Sequence, residues 1–470
     1  MLRRLLAAVT FLLAACVSAP PARLIELGDP VTAFTNVVVL AEYGGETLER
    51  HTVAVRGDRI IAVAPSNAIV LPEGSTLIAG EGRLLAPGLA DMHVHYQDPT
   101  VGILLLANSI TTIRNPSGFG AGSGPGTTLA LAADIAAGDA VGPFIYSSGQ
   151  LIDGPGSFWG PHVVADTVER VRERVREDAA SGYMAVKLYG QLTPEQFRAG
   201  VEEANALDVQ IYTHVPTSMS LHEVLDLGVD SIEHLDGFDR VLGGDGQSSQ
   251  ARWVTAKPDM MAPLARRVAE SGVWQTPTLI VNLAPARAFA DVAAADAAPD
   301  LRYAHKDLLD FWHSYLTRIP GNVDLVARYR LVQQAHARRT EMLRALREAG
   351  APVLIGTDAP NPYVMFGFSI HEEFGFFTAA GFTPTEVLRI ATLDGARFLG
   401  AEGEFGAVRE GARADLLLLD GDPQHDLSVL RSPAGVMAAG RWYDRERLDS
   451  LLGELERAAA ASREPAAPAP

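Results

Sequence analysis

The chain has 470 residues, of which 47% are hydrophobic and 20% charged, a balance that supplies ample core and excludes both an intrinsically disordered chain and a multi-span membrane protein. Its formal net charge of -18 repels phosphate backbones and anionic headgroups, and no basic patch interrupts it, so nucleic acid is excluded as a partner. One cysteine, Cys16, rules out an internal disulfide and leaves stability to core packing.

In chain order, Met1 to Ala15 carries Arg3 and Arg4 before the apolar run Leu5 to Ala15, the build of a secretory signal and too short to span a bilayer. Leu13-Ala14-Ala15-Cys16 resembles a bacterial lipobox, which predicts cleavage before Cys16 and a lipid anchor on it. Val17, rather than Asp, follows; by resemblance to such lipoproteins the expected location is the cell envelope, at the outer membrane of a Gram-negative bacterium. Residues 16–30 are expected to form a linker.

Short alternating runs follow at Val37 to Ala41, Thr52 to Arg56, Ile60 to Ala64 and Thr76 to Ala79, separated by the turn signals Gly44-Gly45, Gly57-Asp58 and Pro72-Glu73-Gly74. Strand signals return at Ala414 to Leu419 and Val436 to Ala439. The two segments, 31–86 and 403–450, are predicted to complete one small β-sandwich.

Between them, eight apolar runs alternate with amphipathic helical stretches: Leu89 to Val94, Ser109 to Arg114, Phe144 to Ser148, Ala185 to Tyr189, Gln210 to His214, Ser231 to His234, Trp274 to Ile280 and Val353 to Thr357. Eight such units close a (β/α)8 TIM barrel, predicted over 87–402, and the fold class is α/β. Val168 to Ser181, with Val168, Val171 and Val175 on one face, suits the outer helix ring. About forty residues, Asn282 to Gly321, separate the seventh run from a helix predicted over Val323 to Ala349, an unusually long connection on the face where such barrels carry their sites. Residues 451–470 are predicted as a helical tail, disordered over the Ala/Pro-rich stretch from Ala458.

The chemistry concentrates at the ends of these runs. Pro87-Gly88-Leu89-Ala90-Asp91-Met92-His93-Val94-His95 ends in two histidines two residues apart, which strand alternation places on one face, within reach of one metal. Lys187, His214, His234 and Asp358 recur at the ends of later runs. A lysine inside an apolar strand costs desolvation unless paired, which marks Lys187 for more than packing.

Ala86 to His95, Gly356-Thr357-Asp358-Ala359 and Gly406 to Asp422 together resemble the signatures of the amidohydrolase superfamily, from about Asn36 through Tyr443. Within it the chain is most similar to the imidazolonepropionase-related branch, which contains secreted Xaa-Pro and Xaa-Arg dipeptidases and ochratoxin-degrading amidases. The resemblance implies that His93, His95 and Asp358 hold one divalent ion and that His214 and His234 hold a second. Lys187, carboxylated by carbon dioxide to a carbamate, would bridge them. The ligand set favours zinc. It also implies an acidified water that attacks a carbonyl, with Asp358 as general base and then acid.

Tyr189, two residues beyond Lys187, and the loop histidines His162 and His371 are candidate substrate contacts. His305, Trp312 and His313 in the long connection are candidates for a lid, with packing the expected use of the tryptophan. The expected reaction is hydrolysis of an amide bond in a dipeptide or N-acyl amino acid. The alternatives are a lactone, cyclic-imide or phosphotriester hydrolase or a one-metal deaminase on the same barrel, or a metal-free, lipid-anchored binding protein. The sequence sets no oligomeric state.

Overall fold

Near the start of the described chain, alternating β-branched runs pair as hairpins. In the computed structural model, which describes residues 25–120, 122–157 and 162–464, Thr32–Leu40 runs antiparallel to Thr47–Arg56, and that strand to Arg59–Pro65. Period-two alternation sends Phe34, Val53 and Val55 into one buried cluster and Ala33, Ala54 and Ala62 into another, so both faces of these strands are covered. Leu84–Pro87 pairs antiparallel with Leu416–Leu419, and Gly435–Ala438 and Arg441–Asp444 extend the edge. The segments expected to form a β-sandwich therefore hydrogen-bond as one eight-stranded sheet drawn from both ends of the chain. A separate ribbon pairs Ile25–Glu26 with Ile69–Val70, so the stretch expected as linker is already structured at Ile25. The signal, the lipobox and Cys16 lie outside the described residues. Among the described residues no helix is long and apolar enough to cross a membrane.

The central region is a TIM-barrel-type α/β fold. Parallel strands Leu89–Asp91, Ile110–Asn115 and Phe144–Ser147 form one sheet, and Ala185–Leu188, Gln210–Thr213, Ser231–Glu233 and Trp274–Thr276 form the core of a second. Two short strands, Ile152–Asp153 and Val163–Val164, add to the second sheet beyond the expected eight. Isolated parallel bridges join Ser148 to Ala185, Gln275 to Val353 and Val94 to Ala359. The eighth run, Val353 to Thr357, is not a continuous strand; it is held by Leu354 N–H to Gln275 O at 2.8 Å, and Ile355 O accepts Met92 N–H at 2.9 Å.

Side chains divide by alternation. Val186 and Leu188 join the large cluster shared with the helices, whereas Ala185 packs with Ala90, Met92, Tyr212, Leu354 and Phe398 in a second cluster. Lys187 shares the phase of Ala185 and so faces the enclosed side. The strands are buried on both faces, as parallel strands under helices must be. Helix Val168–Ser181 starts at the Thr167 cap and stops at Gly182, whose φ of 94° only glycine adopts cheaply.

The long connection is ordered and mostly helical: Ile280–Ala290, Val292–Asp296, Pro299–Tyr303 and Lys306–Thr317, before the long helix Leu325–Ala349 capped by Asp324. Trp312 explains its order. The ring is fully buried, its Nε1–H donates to Pro360 O at 2.8 Å, and it packs on Tyr363. The C-terminal stretch expected to be disordered is helical through Arg463, because Ala459 is buried and the Arg463 guanidinium donates to the carbonyls of Leu301 and Ala304.

Candidate active site

The first strand ends at Asp91, so His93 and His95 lie just past it, on a bend, rather than within a strand as the alternation argument supposed. Their rings still converge. His93 Nε2 lies 3.4 Å and His95 Nε2 2.9 Å from Asp358 Oδ1, and His234 Nε2 lies 3.7 Å from Oδ2. What brings the first and last barrel positions together is Asp91: its buried carboxylate accepts Thr357 N–H at 3.0 Å, Thr357 Oγ1–H at 2.7 Å and His93 N–H at 3.2 Å. Burial pushes the Asp91 carboxyl up to about 7. Gly356 completes the junction, since a Cβ there would sit 2.6 Å from His93 Cβ.

The His214 and His234 rings pack at 4.7 Å, as do His93 and His234, so the four histidines form one continuous group with Asp358. Lys187 is buried, and its Nζ has no hydrogen-bond partner. Burial pulls the Lys187 ammonium down to about 8, against the opposing charge of Glu233.

Hydrogen bonds fix two of the rings. His93 Nδ1 is 2.7 Å from the Glu233 carboxylate, which can only accept when ionised, so the proton sits on Nδ1 and the Nε2 lone pair faces Asp358. His234 Nδ1 is 2.5 Å from Thr278 Oγ1, whose own hydrogen is donated to Pro277 O at 2.9 Å. The same assignment follows for His234. Burial lowers His93 to about 3 and His234 to about 4, and burial together with Lys187 holds His214 well below the usual imidazole range, so all three rings are neutral.

These features suit divalent metal. Lone pairs of His93, His234 and Asp358 lie within 4.8 Å of one another, and Asp358 Oδ1 is buried with no hydrogen-bond partner despite its histidine neighbours. Neutral imidazoles and an anionic oxygen facing one point are the donors such an ion requires.

The candidate substrate contacts divide. The Tyr189 ring packs on His214 at 4.0 Å, at the edge of the cluster. His162 follows residues 158–161, outside the described set, and its Nδ1 is buried without a hydrogen-bond partner. His371 does not lie on a loop: it sits in helix Ser369–Ala379, buried, with Nε2 3.1 Å from Asn108 Oδ1. The reason is the helix's own periodicity, which turns His371 inward with Phe374 toward the end of helix Gly102–Ala107. Sequence reasoning passed over Glu233, Thr278 and Asp91. The signal for Glu233 and Asp91 was present, since each is a charge inside an apolar run, the ground on which Lys187 stood out.

A family model described as the amidohydrolase family matches residues 84–443, more than half of the chain. An ochratoxinase of Aspergillus niger is 24% identical over 459 aligned residues, covering 83% of this chain and 82% of the relative. Among solved structures, a provisionally named prolidase from Bifidobacterium longum superposes with a TM-score of 0.65 at 25% identity, over 91% of this chain and 99% of that one. Bottromycin amidohydrolase superposes with a TM-score of 0.69 at 24% identity, over 91% and 90%. With its signature segments joined at Asp91 and its histidines gathered around Asp358, the chain belongs to the amidohydrolase family and is a hydrolase acting on carbon–nitrogen bonds.

Proposed function

We propose that the protein hydrolyses the amide bond of a dipeptide or N-acyl amino acid at a two-metal centre held by His93, His95, His214, His234, Asp358 and a carboxylated Lys187. The observation that carries this reading is a lysine buried near His214, His234 and Asp358 with no partner for its nitrogen. An ammonium cannot be a ligand, but the neutral amine can attack carbon dioxide: an N–C bond forms, a proton leaves nitrogen, and the resulting carbamate offers anionic oxygens. Two divalent ions, zinc by this ligand set, would supply an acidified water and a polarised carbonyl.

The chain's own groups do the rest. Asp358, ionised and next to the attacking water, takes its proton and returns it to the amide nitrogen, so that the C–N bond breaks and the amine leaves neutral. Tyr189 lies on the His214 side, where its hydroxyl can donate to the substrate's carbonyl oxygen or carboxylate. The names of the relatives, an ochratoxinase and a prolidase, support substrates in which an amino acid is one product. The bridges that link the two parallel sheets support a closed ring of eight barrel positions with this centre at its carboxyl rim.

The test is a screen of zinc-loaded protein against dipeptides, N-acyl amino acids and lactones, with Asp358→Asn as control. Amine release from the first two classes is expected. Turnover confined to lactones would reject the amide assignment. The lipobox further supports a lipid anchor on Cys16 in the cell envelope, checked by metabolic fatty-acid labelling that Cys16→Ala should abolish.

A further inference from the structure

Arg114 occupies the enclosed side of the barrel, fully buried, with its guanidinium 4.4 Å from the Tyr212 ring centre and 5.1 Å from that of Phe398. Its donors reach three other strand segments. Nε–H goes to Met92 O at 2.5 Å, one terminal nitrogen to Ser231 Oγ at 2.9 Å, and the other to Glu233 Oε2 at 2.8 Å and Thr276 Oγ1 at 3.0 Å. Glu233 is equally buried. Its Oε1 accepts the Ser231 hydroxyl at 2.6 Å, and its Oε2 accepts both Arg114 and the Nδ1–H of His93. A buried cation and carboxylate in direct contact neutralise each other, and the Oε2 lone pair that Arg114 does not take is directed at a histidine of the centre.

We infer that Glu233, clamped by Arg114, is a positioning residue that fixes the ring orientation and tautomer of His93 and thereby sets how tightly the centre holds its metal. This rests on the two-metal reading for its consequence but not for its geometry. A carboxylate behind a metal-binding imidazole makes the ring a stronger donor and holds its plane, and losing such a partner typically weakens metal affinity about 10–100-fold. Arg114 is needed because its terminal nitrogens hold Glu233 Oε2 directly and Ser231, which bonds Oε1, from behind, so that the carboxylate cannot turn away from His93.

The experiment uses the full chain and two variants. Glu233→Gln keeps an acceptor for Nδ1–H but loses the charge and leaves Arg114 unbalanced, so it is paired with the double variant Arg114→Met, Glu233→Gln, which removes both charges together. In metal-free protein labelled at histidine nitrogen, the Nδ1–H of His93 is expected as a far-downfield proton resonance that moves upfield in the double variant. In zinc-loaded protein, about 10–100-fold less chelator is expected to strip the metal from that variant. A merely structural role would lower the thermal midpoint and leave resonance and chelator titration unchanged, and that result in a folded variant overturns the inference. A parent chain that shows the resonance but binds no zinc defeats the two-metal reading while upholding the orientation of His93.

Discussion

His234, Thr278 and Asp358 all have positive φ, at 63°, 42° and 63°, in conformations that side chains other than glycine adopt at a cost of about 1–3 kcal/mol each. Such residues persist where surrounding contacts over-determine them, and here the contacts are those of the site: Asp358 N–H to His93 O at 2.7 Å and His234 N–H to Thr276 O at 2.7 Å. Asp358→Asn should keep the fold but lower kcat by about 10²–10⁴-fold, since the amide cannot accept the proton; unchanged turnover in a steady-state assay would remove Asp358 from the mechanism. Gly356→Ala should displace His93, because the new methyl meets its Cβ and backbone nitrogen. The expected readout is lost zinc binding in a chain whose circular dichroism is retained. At this scale the sequence was informative wherever a residue type was improbable for its place, as with Lys187 in an apolar strand. It was uninformative for His371, since nothing in its neighbours distinguishes a loop histidine from one turned into a helix layer, and for Thr278, whose role depends on a hydrogen bond across strands.

The helical insertion is the element that the sequence described least. Its length was legible, but its order depends on Trp312 reaching the carbonyl of Pro360, a contact across 48 positions that no local pattern encodes. That contact anchors helix Lys306–Thr317 to the turn that follows Asp358. Trp312→Ala should destabilise by about 3–5 kcal/mol and also lower activity, because the anchored turn follows directly on Asp358, the proposed general base; a drop in melting temperature without loss of activity at permissive temperature would separate the two roles. A second anchor joins the insertion to the barrel: Glu373 accepts the N–H groups of Leu279 and Ile280, at the N-terminus of helix Ile280–Ala290, at 2.8 and 2.9 Å. Burial pushes its carboxyl up to about 8 despite those bonds. A carboxyl whose pKa is raised on folding stabilises most below its unfolded value, and that contribution is lost as pH rises through the folded one. Thermal midpoints of the metal-free protein should therefore fall as pH rises from the ordinary carboxyl range towards about 8 and level off above it, and Glu373→Gln should flatten that dependence.

For the whole molecule, periodicity revealed seven of the eight expected runs as parallel strands, because strands buried on both faces read as short apolar segments. It overstated their regularity. Met92 to His95 and Val353 to Thr357 depart from strand geometry where Asp91 and Gly356 draw the two segments together, and those departures create the site. The pairing of Leu84–Pro87 with Leu416–Leu419 locks the chain's two ends into one sheet, adjoining the strand that leads to His93. Everything in the proposed chemistry depends on the neutral rings, Asp358 and Lys187 gathering metal. The most direct measurement is metal analysis of the purified chain beside its Lys187→Ala variant, in buffer containing bicarbonate and zinc. About two zinc ions per chain are expected in the parent and fewer in the variant, whereas a parent that retains none, or a variant that retains the same number, would contradict the account.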